Sequence, residues 1–420
     1  MHIAVIGGGI VGMSTAWRLT QDGHRVTVID KAEEAGRGTS FANAGQLSYS
    51  YVAPLADSTI WGQLPKLLLD PKSPVRFRPG FDLFQYRWLL SFLAACNVRQ
   101  ATRTIDRLGA LAELSKTVLH GSEVLRSRQF AWTQTGKLVV YSSQKSFEHA
   151  RHYAEHQAQS GTDKRAFDVE QCLSTEPALA SIAGRLVGGL FSPGDEAGDA
   201  YLLSKELAAL IDGTPGGSRF MGKTNVSDFV REDRRIVAVK TDSGLIEADA
   251  FIISAGSSAR ALARKIGIDL PIYPLKGYSL TAPIKQQEAT PSVSITDAAY
   301  KVAYARIGDE LRLAGAADLV GPSLELDTKR INMLMETAQA AFPQAADWSQ
   351  MRAWAGLRPA TPTGMPIIGR TGFDNLLVNV GHGALGFTLA LGSAELLAAQ
   401  IAGRQVPVPL EYFSLQQRCA

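Results

Sequence analysis

Three glycines and one acid near the N-terminus are spaced to hold a dinucleotide. Gly7, Gly9 and Gly12 fall in the run Ile3-Ala-Val-Ile-Gly-Gly-Gly-Ile-Val-Gly12, and a second apolar run, Arg25-Val-Thr-Val-Ile-Asp30, ends in a carboxylate. Gly7 permits a tight turn at a strand end, Gly9 lets backbone N–H groups approach a pyrophosphate, and Gly12 lets the next helix pack on the sheet. The start of that helix faces the negative charge. Ile6, Ile10 and Val11 flank the glycines and share the assignment. Asp30 lies about 18 residues past Gly12, where a carboxylate accepts both hydroxyls of an adenosine ribose, with Lys31 beside it.

Two later segments also run from a strand into glycine. Residues 248–254 lead to Ser254-Ala-Gly256, where Ala255 and Gly256 either approach the dinucleotide or cap a helix. Residues 375–380 lead to Gly381-His-Gly-Ala-Leu-Gly386, then Phe387, Thr388 and an apolar helix. A helix start behind such a turn can face a reacting ring. Reduced flavin carries negative charge at N1 and the adjacent carbonyl, which a helix dipole and free N–H groups stabilise; reduction of nicotinamide neutralises its ring. The fingerprint alone fits NAD or FAD. The C-terminal turn tips the choice to FAD, with Gly381, His382, Gly383, Leu385, Gly386, Phe387 and Thr388 as its contacts. An NAD-dependent dehydrogenase is the distant alternative.

These positions need a scaffold. Residues 100–127 read as a long helix, with Leu108, Leu111, Leu114, Val118 and Leu119 at helical spacing. Residues 137–141 look like a strand, 145–160 a polar helix, 189–198 a turn-rich segment and 201–212 a helix. A pair of strands is expected over 236–241 and 248–254. Between 273 and 316 the pattern alternates, which predicts an antiparallel sheet; a helix follows over 328–341. Strand–glycine–helix units at both ends with a β region between them predict an α/β fold. It comprises a Rossmann-like FAD-binding domain assembled from 1–80, 175–268 and 350–420, and an inserted α+β substrate domain of 81–174 and 269–349 built on that antiparallel sheet.

The chain has 420 residues, 45% hydrophobic and 20% charged, with a net charge of +3 from mixed signs. That suits two packed domains and leaves no basic footprint for nucleic acid. Cys96, Cys172 and Cys419 show no C-x-x-C and no metal spacing, and an odd, sparse set suits a reducing compartment. No signal-peptide pattern precedes the first strand, and the apolar run 88–96 is far shorter than the roughly 20 residues of a membrane span. A cytoplasmic protein, soluble or peripheral, is expected. Within 61–96, Trp61, Leu67, Leu68, Leu69, Phe77, Phe81, Phe84, Tyr86 and Trp88 interleave with Lys66, Lys72, Arg76, Arg78 and Arg87. That mixture fits a cap over the active site or contact with an anionic membrane.

Together the motifs resemble the D-amino acid oxidase superfamily of FAD enzymes, and within it the small-subunit type of bacterial D-amino acid dehydrogenases. The resemblance runs over essentially the whole chain. It rests on the fingerprint, Thr39-Ser-Phe-Ala-Asn-Ala-Gly45, Tyr273-Pro-Leu-Lys-Gly-Tyr278, Gly356-Leu-Arg-Pro359, Thr361-Pro-Thr-Gly364 and Gly381-His-Gly-Ala-Leu-Gly-Phe-Thr388. Thr363 stands where an Asp is expected. The resemblance implies FAD, expected to be non-covalent because no His or Cys is clearly placed to bond its ring, and a small D-amino acid, oxidised to a 2-oxo acid and ammonia by hydride transfer from Cα to flavin N5. Electrons would pass to a quinone or similar acceptor, with peripheral contact at the cytoplasmic face of the inner membrane. Such chemistry is mainly positioning, with the Cα–H held roughly 3.5 Å from N5.

An Arg fork grips a carboxylate through two parallel bonds. By resemblance Arg358 binds the substrate carboxylate, from a loop at a strand end. Tyr278 and Tyr304 would join it there or pack in the sheet. His382 would lie beside the flavin, near Ser40, Asn43, Ala44, Gly45 and Gln46. Val226 would offer its main chain to the adenine or be a core strand residue. Two readings stay open besides: a sister activity on D-proline, D-hydroxyproline, glycine or sarcosine, and a flavin-carrying subunit with little turnover alone.

Overall fold

The computed structural model describes residues 1–50, 52, 55–58, 60–62, 73–158 and 163–415. His2–Ile6, Arg25–Ile29, Ala250–Ile253 and Leu376–Val380 are nearly continuous apolar runs, as strands covered on both faces must be. They form a parallel sheet in the order Leu376–Val380, Ala250–Ile253, His2–Ile6, Arg25–Ile29, Arg219–Met221, with Ile367–Arg370 antiparallel at one edge. Ile6, Ile29, Met221, Ile253 and Val380 therefore end on one side, where open α/β sheets bind ligands.

Helices Ile10–Gln21, Val98–Gly121, Ala200–Asp212 and Gly386–Ala402 supply one core, with Ile3, Val5, Met13, Leu108, Leu111, Leu203 and Leu389 buried together. Gly392 allows its helix to approach closely: a methyl there would lie 2.5 Å from the Leu111 carbonyl oxygen. Among the described helices, the one long and apolar enough to cross a membrane spans Gly383–Ala402, and it is mostly buried in this core.

A second, larger sheet runs in the order Arg352–Ala360, Tyr273–Pro283, Glu310–Leu319, Val302–Ile307, Ser294–Asp297, Lys137–Tyr141, Gly188–Ser192, Arg165–Phe167. Its two faces differ in residue size. Tyr278, Leu280, Leu313, Tyr304, Ile295 and Leu138 point to a back face packed with Leu334 and Ala338 of helix Thr328–Ala341. Successive strand residues alternate sides, so Gly277, Ser279, Ala314, Ala303, Ala305 and Thr296 point to the front. That front meets the dinucleotide-binding part of the chain. Gln46 Nε2 donates to the Ile295 carbonyl at 3.1 Å, Arg312 pairs with Asp199 at 3.0 Å, and Lys137 Nζ donates to Ser48 Oγ at 2.8 Å.

Several expectations need correction. The large sheet is mixed: Ser294–Asp297 lies parallel to Lys137–Tyr141, and Val75–Phe77 parallel to Glu310–Leu319, because long excursions join these partners and not hairpins. Strand Arg235–Thr241 pairs with Val226–Glu232 and Gly244–Glu247 in a separate meander, while Ala250–Ile253 enters the parallel sheet. The segment 189–198 contributes strand Gly188–Ser192 and the short strand Glu196–Ala197, which pairs with Gln46–Leu47. The chain also crosses between its two parts more often than drawn. Val75–Phe77, Gly188–Ser192 and Arg352–Ala360 belong to the second sheet, and helix Val98–Gly121 belongs to the dinucleotide core, because pairing and burial assign them there.

Candidate active site

The three fingerprint glycines differ in what surrounds them. A methyl on Gly7, whose φ is +116°, would lie 2.4 Å from the Ser254 carbonyl oxygen, and one on Gly12 would lie 1.9 Å from the Gly7 carbonyl oxygen. Protein backbone excludes a side chain at both. A methyl on Gly9 would meet only Ser40 Oγ, at an ordinary 3.5 Å. The same holds at Gly256 and Gly383, both at φ +54°, which have no protein atom in that space. Gly9 thus leaves open a space at a helix start, beside Ile10 and Val11, that suits a pyrophosphate. Ser40 Oγ accepts the Ile10 N–H at 3.0 Å and so stands at the same helix start.

Asp30 follows its strand directly. Its carboxylate accepts the Gly8 N–H at 2.6 Å and the Ala32 N–H at 2.7 Å, which fixes it beside the fingerprint with lone pairs to spare for ribose hydroxyls. Lys31 lies beside it on the surface. The Asp30 carbonyl accepts the Thr224 N–H at 2.9 Å, and Val226 begins its meander strand two residues on. Asn43 Oδ1 accepts the Gly45 N–H at 3.1 Å, an Asx turn that shapes the segment Asn43, Ala44, Gly45, Gln46. Gly381 (φ +82°) and Gly383 turn the chain into helix Gly386–Ala402, with Leu385 as its N-cap and Phe387 and Thr388 in its first turn. Thr388 Oγ1 accepts the Ser48 N–H at 3.0 Å, joining this helix to the Asn43 segment. These residues gather at the carboxyl edge of the parallel sheet and fit FAD as a donor set.

Arg358 sits inside strand Arg352–Ala360 and not in a loop; Pro359 is tolerated because this is an edge strand. Its guanidinium lies over Gly277, where a methyl would be 2.5 Å from Nη2, so it points to the front face. Arg358 Nη1 donates to the Ala316 carbonyl at 2.8 Å. Ala316 is in the left-handed region at φ +57°, at a bulge between the Tyr278–Gly315 and Lys276–Asp318 pairs, and this turns its carbonyl toward the guanidinium. No carboxylate pairs with Arg358 among the described residues. Burial pushes its pKa down and Asp318 partly offsets this; a guanidinium stays charged all the same.

The bulge is clamped from behind. Asp318, fully buried, accepts Arg76 Nη2 and Arg330 Nη2, each at 2.6 Å, and the Tyr278 hydroxyl at 3.2 Å. Tyr278 is therefore not a carboxylate partner of Arg358: one strand position from Gly277, it faces the opposite side. Tyr304 is also on the back face, with its ring edge-on to Phe342 at 5.0 Å. Period-two alternation decided both cases. His382 is buried, and burial pushes its pKa down to about 3; its Nε2 meets Ser393 Oγ at 2.9 Å. It is a neutral strut between the glycine turn and the C-terminal helix. Buried Lys137 is held down to about 8 by desolvation, with Asp195 opposing that fall.

Among the described residues, three buried side-chain polar atoms on the front face have no protein partner: Ser279 Oγ, Ser294 Oγ and Arg312 Nη1. Gly277, Ser279, Trp354 and the Ala316 bulge were not singled out from sequence. Glycines alternating with an Arg on neighbouring strands were the available signal for Gly277; the bulge has none. Thr363, in the place of an expected Asp, accepts the Met365 N–H at 3.3 Å and keeps the turn. Among the described residues no His, Cys, Asp or Glu group could hold a metal.

A parallel sheet with a glycine cradle at its carboxyl edge, and a second sheet presenting an Arg that no described carboxylate pairs, define a two-part dinucleotide-dependent oxidoreductase. The FAD dependent oxidoreductase family model matches residues 2–400, and the chain belongs to that family. It is 42% identical over 99% of its length to D-amino acid dehydrogenase 2 of Ralstonia nicotianae, all of which is covered. It is 36% identical over 99% of its length to D-amino acid dehydrogenase of Vibrio atlanticus, again covered completely. Among solved structures, glycine oxidase from Geobacillus kaustophilus shares the fold with a TM-score of 0.75 and 20% identity, covering 98% of this chain and 97% of that one. L-proline dehydrogenase from P. horikoshii does so with 0.74 and 20%, covering 99% and 96%.

Proposed function

We propose that this protein oxidises small D-amino acids to 2-oxo acids and ammonia, using FAD held without a covalent bond. The observation that carries the reading is Arg358: a cation without an acid partner among the described residues, held by the Ala316 carbonyl on a face that Gly277 leaves clear. A desolvated guanidinium of this kind is completed by a ligand carboxylate through two charge-assisted bonds. The names of the curated relatives supply the D-amino acid part. Bound FAD supplies the acceptor for the hydride leaving the substrate Cα. Arg358 binds and orients the carboxylate, and small front-face residues leave space for the rest of the substrate. His382, neutral and tied to Ser393, holds the glycine turn and takes no proton at neutral pH.

Non-covalent attachment is supported by the cysteines. Cys172 lies in the back-face core, Cys96 lies beside Trp88 and Tyr273, and burial pushes both thiols up to about 11. Cys419 lies outside the described residues. Acid should release intact FAD into the supernatant; flavin retained on the polypeptide overturns this part.

For the electron acceptor we propose a membrane quinone, reached from the cytoplasmic face of the inner membrane. Phe81, Leu83, Tyr86 and Leu90 are exposed around helix Leu83–Ala95 beside Arg87, while Phe84, Trp88 and Phe92 turn inward. Trp61, half exposed, donates to the Cys96 carbonyl at 2.8 Å. Apolar side chains with a cation suit an anionic surface. Lys66, Leu67, Leu68, Leu69 and Lys72 lie outside the described residues. Leu83→Glu with Leu90→Glu should abolish sedimentation with anionic vesicles; unchanged sedimentation removes this surface. The activity itself is tested by anaerobic mixing with D- and L-amino acids, D-proline, D-hydroxyproline, glycine and sarcosine. Bleaching of the flavin by D-amino acids is expected, and none by any D-amino acid defeats the reading.

A further inference from the structure

We propose that Trp354 is the wall against which the substrate side chain packs, so that the enzyme favours D-amino acids with apolar side chains. This rests on the reading of Arg358 as the carboxylate clamp. Trp354, Gly356 and Arg358 are alternate residues of one strand and point to the same front face. The indole lies back over Gly356: a methyl there would fall 2.0 Å from Cη2, 2.6 Å from Cζ3 and 2.9 Å from Cζ2. Gly356 is therefore the floor for the ring, as Gly277 is the floor for the guanidinium. The pairing Gly277–Gly356 sets the two floors side by side, so the indole and the cation are neighbours.

Two further observations point to a ligand. Ser279, directly across from Trp354, is 1% exposed, and its Oγ has no partner among the described residues. A buried hydroxyl so placed wants a polar ligand atom or water. Phe41, in the segment that precedes the Asn43 turn, has its ring centroid 6.5 Å from that of Trp354, tilted by 50°. The indole, partly exposed, is thus not sealed by packing, and a second aromatic stands near its edge. A substrate with its carboxylate on Arg358 extends past Gly356 along this ring. Besides Arg358, charged side chains on the same face among the described residues include Arg312, paired with Asp199, Arg352, paired with Glu310, and Lys137, which donates to Ser48. None is an unpaired acid that would reward a basic side chain.

The test compares wild type with Trp354→Ala and Trp354→Phe in the flavin-loaded protein. The substrates are D-alanine, D-leucine, D-phenylalanine, D-lysine and D-glutamate. In Trp354→Ala, kcat/KM for D-leucine and D-phenylalanine should fall on the order of 10- to 100-fold, the range that apolar pocket contacts give, with D-alanine changed less than about threefold. Trp354→Phe should restore most of the loss. Binding is read separately, by perturbation of the oxidised flavin spectrum with acetate and 4-methylpentanoate. The longer acid should lose affinity in Trp354→Ala and acetate should not. Equal losses for D-alanine and D-leucine, or tighter binding of the longer acid in Trp354→Ala, overturn the proposal. If D-amino acids fail to bleach wild-type flavin while the carboxylates still show this pattern, the activity is wrong and the wall stands.

Discussion

Gly277→Ala tests the geometry of the clamp without touching its charge. Gly277 lies in an ordinary strand conformation, so alanine adds no backbone strain. Its methyl would fall 2.5 Å from Arg358 Nη2 and 2.6 Å from Cζ, while relaxed contacts need about 3.5 Å. The guanidinium must retreat by about 1 Å, away from the front face or off the Ala316 carbonyl. The intruded group is the end of a flexible side chain, so the fold should yield at a cost near the lower end of the roughly 1–3 kcal/mol of overpacking. Misplacing a binding group by about 1 Å costs on the order of 100-fold in rate. We therefore expect kcat/KM to fall about 100-fold, or about 2.7 kcal/mol, with little change in melting temperature and intact flavin absorbance. The assay is dye reduction by D-alanine, with acetate as competitor. In an Arg358→Lys background, whose slimmer head leaves room for the methyl, Gly277→Ala should add little. Wild-type turnover in Gly277→Ala, or a full further loss in the lysine background, would refute the placement of Arg358 over Gly277.

Arg358→Ala should lose roughly 3–5 kcal/mol of binding, with kcat/KM reduced on the order of a hundred- to several-thousand-fold, and lysine should rescue it only partly because an ammonium lacks the fork. Unchanged acetate inhibition in Arg358→Ala would move the clamp elsewhere. Asp30→Ala should fold but retain FAD poorly on gel filtration; wild-type retention refutes the ribose assignment. Tyr278→Phe should cost about 1–3 kcal/mol of stability through its bond to the Asp318 carboxylate and leave acetate binding intact; loss of acetate binding would put the hydroxyl in the site. His382 is held near 3 when folded, against an ordinary 6.5 when unfolded, so between those values the unfolded state binds more protons and stability falls as pH drops. At pH 4.5 this amounts to roughly 2–3 kcal/mol, and His382→Gln should flatten the loss of urea midpoint between pH 7 and 4.5 by that order; an unchanged slope refutes it.

The dinucleotide half was legible because its constraints are local. A pyrophosphate cradle requires Gly7, Gly9 and Gly12 at set intervals, and the helices at 201–212 and 388–401 announce themselves by spacing. In the substrate half helices Gln144–Ala158 and Thr328–Ala341 were legible, but the sheet only as β structure. Which strand pairs which, and with what polarity, depends on partners up to hundreds of residues apart. Lys137–Tyr141 finds Ser294–Asp297, and Val75–Phe77 finds the end of Glu310–Leu319. The facing of Tyr278 and Tyr304 turned on this register, since a shift of one residue exchanges the two faces of a strand. By resemblance a tyrosine hydroxyl was a fair carboxylate partner until alternation put Gly277, not Tyr278, under the guanidinium.

The residue types on the large sheet carry the same division of labour. On the back face, Tyr278, Leu280, Tyr304 and Leu313 fill space and make the sheet rigid against helix Thr328–Ala341. On the front, Gly277 and Gly356 give up side chains so that Arg358 and Trp354 can lie over the strands. A glycine inside a strand weakens it, and two facing each other across one pair weaken it twice. The positive φ of Ala316 adds a further cost. The compensation lies one layer behind, where Asp318 draws Arg76, Arg330 and Tyr278 onto the bulge. A cation left unpaired for a ligand needs a backbone that cannot drift. Here the back-face ion cluster stiffens the strand whose carbonyl aims the front-face guanidinium.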